Sequence, residues 1–60
     1  DQLVGRHGLV LGVSGPDARV EVDGIPWPAL VDGEEIIPGT TVEIIDTIGT
    51  TLKIRNPRQG

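Results

Sequence analysis

Cysteine, methionine, phenylalanine and tyrosine are all absent from this 60-residue chain, and Trp27 is its only aromatic residue. Without cysteine there is no disulfide, no thiolate zinc site and no thiol nucleophile, and the redox compartment is left open. With a single aromatic ring there is no platform on which successive bases stack. Positive charge is also scarce: five basic residues against nine acidic ones give a net charge of −4, the wrong sign for a general polyanion binder. No apolar run approaches the roughly 20 residues that cross a bilayer as a helix. Nor does a basic segment followed by an apolar one mark a secretory signal.

Sixty residues are enough for one domain, residues 1–60, with little room for a deep pocket, since a chain of this size buries only about 60% of its unfolded surface. The first residue is Asp rather than Met and a strand pattern begins almost at once at Leu3, so the chain is expected to be a piece of a longer protein. Val, Ile and Leu must supply nearly all the packing.

What is present is alternation. Val20, Glu21, Val22 and Asp23 alternate apolar and polar before Gly24, and Leu52, Lys53, Ile54 and Arg55 repeat the pattern before Asn56 and Pro57. That period of two is what half-buried antiparallel strands require. Residues 3–13 read as a long first strand, apolar throughout, broken by Gly5, Gly8 and Gly12; glycines inside a strand mark bends, bulges or close backbone approach. Ser14, Gly15, Pro16 and Asp17 form a turn. A second strand over 18–23 ends at Asp23-Gly24, the dipeptide suited to a tight hairpin into a third strand over 25–31. Pro26 and Pro28 cannot donate ladder hydrogen bonds, so that strand is expected to carry an unpaired edge. Residues 32–40 lack alternation; Ile36 and Ile37 are expected to plug one barrel end, with room for one helical turn. Strands over 41–48 and 51–56, joined around Gly49-Thr50, complete the set, and 57–60 read as a frayed tail.

Five short strands with a glycine-broken first member predict an all-β fold, a small five-stranded OB-fold-type Greek-key barrel, with an SH3-like barrel as the alternative. The expected core is Leu9 or Val10 with Val20, Val22, Ala29, Val42, Ile44, Leu52 and Ile54, leaving Glu21, Glu43, Lys53 and Arg55 on the opposite face.

No catalytic, cofactor-binding or metal-binding residues are expected. His7 has no spaced partner, and Asp32, Glu34 and Glu35 lack the ordered ligand series of a calcium loop. Ser14 has neither a nucleophile elbow nor an oxyanion motif around it. Lys53, the only lysine, lies within the last strand and not at a hairpin tip, which excludes a lipoyl- or biotinyl-type carrier. Arg19, Lys53, Arg55 and Arg58 form a basic stripe only if the second and fifth strands are adjacent. The candidate interaction surface is Ile25, Pro26, Trp27 and Pro28, because a large aromatic between two prolines on an open edge is either core filler or an interface anchor.

The chain resembles the C-terminal domain of the NfeD family. The residues that carry the resemblance are Gly5 and Gly8, Pro16, the run Val20-Glu21-Val22-Asp23-Gly24 followed by Trp27 and Ala29, then Ile37-Pro38-Gly39-Thr40-Thr41-Val42-Glu43-Ile44-Ile45, and Gly49, Leu52 and Ile54. It departs from the family pattern at Ala18, where glycine is frequent, and at Gly12 and Ser14, which replace bulkier residues. The resemblance implies a soluble OB-fold domain attached after transmembrane helices outside this segment, on the cytoplasmic side of the cell membrane. It implies stomatin-, prohibitin- or flotillin-like protein partners and a part in regulating membrane proteolysis, with no cofactor and no small-molecule substrate. The serine protease domain of longer relatives has no counterpart here. An OB-fold that binds single-stranded nucleic acid is the alternative reading.

Overall fold

The computed structural model describes residues 3–57. Five strands follow one another: β1 (His7–Ser14), β2 (Asp17–Val22), β3 (Ile25–Val31), β4 (Thr41–Ile48) and β5 (Thr51–Arg55). Among the described residues there is no helix, and so none long and apolar enough to cross a membrane.

Three two-residue turns make the hairpins. Asp23 and Gly24 both have positive φ, 55° and 79°, as a type I′ turn demands. Gly15 and Gly49 take φ of 62° and 63° at the first position of the other two. The strands close into a barrel in the order β1-β2-β3-β5-β4, with β1 pairing both β2 and β4 and, among the described residues, the only parallel pair formed by β3 and β5. That is the five-stranded OB-fold arrangement, and it excludes the SH3-like alternative.

β1 serves two neighbours because it bends. His7, Gly8 and Leu9 pair with β4, Leu9 to Ser14 pair with β2, and the register slips between Val10 and Gly12, inserting Leu11 as a bulge. Gly8 permits the inward curl: a Cβ there would overlap Val20 Cγ1 and lie 3.1 Å from the Glu21 carbonyl oxygen. The first strand is shorter than its apolar pattern predicts. Gly5, at φ 93°, turns the chain so that the Arg6 N–H reaches the Leu3 carbonyl at 3.0 Å, and residues 3–6 precede the strand as a turn.

The core comprises Val10, Ala18, Val20, Val22, Ala29, Ile36, Val42, Ile44, Leu52 and Ile54. Of the two residues left open for β1, Val10 is buried and Leu9 faces out. Residues 32–40 form no helical turn, and only Ile36 plugs the barrel; Ile37 is 57% exposed. This segment is tied down instead by hydrogen bonds: Gly39 N–H to the Val10 carbonyl at 2.8 Å and Val10 N–H to the Thr40 carbonyl at 2.9 Å. β5 stops one residue earlier than predicted because the Asn56 N–H is taken by Glu34 Oε1 at 2.7 Å. Of the expected frayed tail, 58–60 lie outside the described residues.

Candidate functional site

Period two divides the four residues of the candidate surface between two faces. Cross-strand partners share a face, and the pairs are Val22 with Ile25, Glu21 with Pro26, Val20 with Trp27 and Arg19 with Pro28. Val20 and Val22 are interior, so Trp27 turns inward, where it is half-buried and packs on the core. Ile25, on the same side but beside the turn, stays 55% exposed. Pro26 and Pro28 are exposed on the outer face. In a two-residue hairpin the closing pair exchanges both hydrogen bonds. Ile25 and Trp27 therefore face β2 with their backbone groups, and the two prolyl nitrogens point away from it. β2 loses nothing to the prolines. On the other side β5 pairs only from Ala29 onward, which leaves 25–28 as the open edge that the prolines predict.

The outer face of β1, β2 and β3 is continuous. One row runs Leu9, Glu21, Pro26 and the next runs Gly12, Arg19, Pro28. Leu9 and Leu11 are 41% and 47% exposed on it. Sequence reasoning does not single out these leucines as surface residues, although the signal is there: a strand that is apolar throughout in a one-layer barrel must show apolar side chains to solvent.

The charges are dispersed. Arg6 pairs with Asp23 at 2.8 Å and Arg55 approaches Glu43 at 3.6 Å, both pairs partly exposed and so worth at most about 1 kcal/mol. The basic stripe does not form, because β3 lies between β2 and β5; Arg58 lies outside the described residues. Arg19 has no ion pair among the described residues. His7 is exposed at the start of β1, where its partner in β4 is Glu43. In the acidic loop, Glu34 and the Glu35 carbonyl hold Asn56, at 2.7 and 3.2 Å. Among the described residues no three His, Asp or Glu side chains gather as a metal site would need.

A barrel of this topology, without a gathered set of reacting groups among the described residues and with an open half-apolar outer face, fits a module that binds another molecule. The family model for the NfeD-like C-terminal, partner-binding domain matches residues 1–55. The chain belongs to the NfeD family. Two solved structures agree with this assignment. The C-terminal domain of stomatin operon partner protein 1510-C from Pyrococcus horikoshii superposes with a TM-score of 0.88 at 27% identity, covering 97% of this chain and 92% of that one. The soluble domain of a membrane protein implicated in regulation of membrane protease activity, from Corynebacterium glutamicum, superposes with a TM-score of 0.81 at 32% identity, covering 90% of each chain. Among curated proteins no match is found. The NfeD-like resemblance read from the motifs and the barrel predicted from the strand pattern both hold.

Proposed function

We propose that this NfeD domain is a non-catalytic adaptor that binds a stomatin-, prohibitin- or flotillin-type scaffold protein. In this reading it is tethered to the cell membrane by helices outside this segment, stands on the cytoplasmic side and modulates membrane proteolysis. The observation that carries the reading is the outer face of β1–β3, where Leu9, Leu11, Pro26 and Pro28 stand exposed on a domain whose family binds partners. The likeness to a stomatin operon partner supports the class of partner, and the likeness to a protein implicated in regulating a membrane protease supports the process. Ile25 and the exposed part of Trp27 extend the contact along the open edge.

Calorimetric titration with the soluble region of a stomatin-type protein is the test. Saturable binding that a Leu9→Ser/Leu11→Ser variant weakens at least about tenfold, the equivalent of 1.4 kcal/mol, is expected. Equal affinity in the two forms removes the outer face from the interface.

The nucleic-acid alternative is less favoured by the same face. OB-fold binders of single strands set several aromatic rings in a positive groove. Here the outer face carries no ring, and Arg19 is accompanied by Glu21. An oligonucleotide at low salt is expected to leave Trp27 fluorescence unchanged.

A further inference from the structure

Gly12 has no structural reason to be glycine. Its φ is not positive, and a Cβ placed on it meets nothing within 4 Å. The bulge beside it does not require it either, because the inserted residue is Leu11. A glycine inside a strand weakens the strand and leaves its outer surface bare. That bare patch belongs to an open, predominantly apolar groove of about 320 Å³ along the β1–β2 hairpin, lined by Gly12, Val13, Ser14, Asp17, Ala18 and Arg19. Leu9 and Leu11 lead into it along β1, both exposed. Arg19, the register partner of Gly12, is exposed and has no ion pair among the described residues. Asp17 sits one row nearer the hairpin tip, opposite Ser14.

We infer that the groove at Gly12 is a specificity pocket for a partner segment that presents a large apolar side chain next to a carboxylate. The apolar side chain fills the space that Gly12 leaves free. The carboxylate pairs with Arg19 in the same row, and Asp17 turns away a carboxylate placed toward the tip. This choice of occupant rests on the proposed partner-binding function, and it places the centre of recognition at the β1–β2 hairpin end of that outer face.

The test is an NMR titration of 15N-labelled protein with two synthetic peptides, Ac-Gly-Leu-Glu-Gly-NH2 and Ac-Gly-Leu-Lys-Gly-NH2. The Leu-Glu peptide is expected to shift the amide resonances of Gly12, Val13, Ala18 and Arg19 saturably in the millimolar range. The Leu-Lys peptide is expected to bind about threefold more weakly, the size of a surface charge pairing. Gly12→Val is expected to weaken the Leu-Glu peptide about tenfold with a melting temperature no lower than that of the wild type, since the new side chain points into open space. Arg19→Gln is expected to erase the difference between the peptides. Shifts centred on another surface, or a Gly12→Val variant that binds as the wild type does, overturn the assignment. The two proposals fail separately. A stomatin-type protein that binds wild type and Gly12→Val equally sinks the pocket and leaves the adaptor; one that ignores the wild type while the Leu-Glu peptide still binds at Gly12 sinks the adaptor and leaves the pocket.

Discussion

At Gly8 an added methyl group has nowhere to go, whereas at Gly12, four residues along the same strand, it would stand in solvent. Gly8→Ala drives a Cβ into Val20, which is fully buried and stiff at χ1, and such overpacking costs about 1–3 kcal/mol. Gly12→Ala, by contrast, is expected to be neutral or to stabilise the fold by about 0.5–1 kcal/mol. Urea unfolding of the two variants checks the contrast, and equal midpoints contradict it. Trp27 is expected to act partly as packing: Trp27→Ala loses about 2–3 kcal/mol, short of the 3–5 typical of a fully buried aromatic, because the ring is only half-buried. Trp27→Phe keeps most of that packing and is the variant in which binding can be read without unfolding. A melting temperature for Trp27→Ala equal to that of the wild type would place the ring off the barrel.

At the scale of elements, the strands were legible wherever one face is buried and the other is polar. β2 and β5 alternate cleanly, β4 does so as far as Ile44, where its register slips, and Val20, Val22, Val42, Ile44, Leu52 and Ile54 are all in the core as their period predicts. β1 was not, because it is apolar on both faces; its pattern could not tell Leu9 from Val10, nor show that residues 3–6 turn before the strand begins. The segment 32–40 was opaque for another reason: it is held by a pair of hydrogen bonds to Val10 and a pair to Asn56, both distant in sequence, which no local pattern records. The candidate surface was half legible. The prolines announce the open edge of β3 and period two sets Trp27 on the side opposite to them, but only the register shows that Trp27 takes the inner side. That edge yields a further expectation. Pro26→Val with Pro28→Val restores two outward N–H groups, and an edge that offers donors as well as acceptors recruits another strand. Sedimentation velocity is expected to show concentration-dependent self-association in the double variant and none in the wild type. A monomeric double variant means that something other than the prolines protects the edge.

At the scale of the whole molecule, a barrel of this size spends its interior on aliphatic packing and keeps none for a ligand; the described residues that are buried are all apolar side chains or glycine. Function is therefore carried by the outside, and the outside is uneven. β4 and β5 present Glu43, Lys53 and Arg55, in part paired with one another, and expose one large apolar side chain, Ile48, at the end of β4 beside the hairpin turn. β1 to β3 present leucines, prolines and an arginine without an ion pair among the described residues. The membership of the NfeD family gives this asymmetry a purpose, since a partner-binding domain needs one face that water does not satisfy. The measurement that tests this most directly is a 15N-NMR titration of the domain with the soluble region of a stomatin-type protein. The account predicts that the perturbed amides fall on β1, β2 and the proline edge of β3 and leave the outer residues of β4 and β5 unmoved. Perturbations centred on β4 and β5, or none at saturating partner, would contradict it.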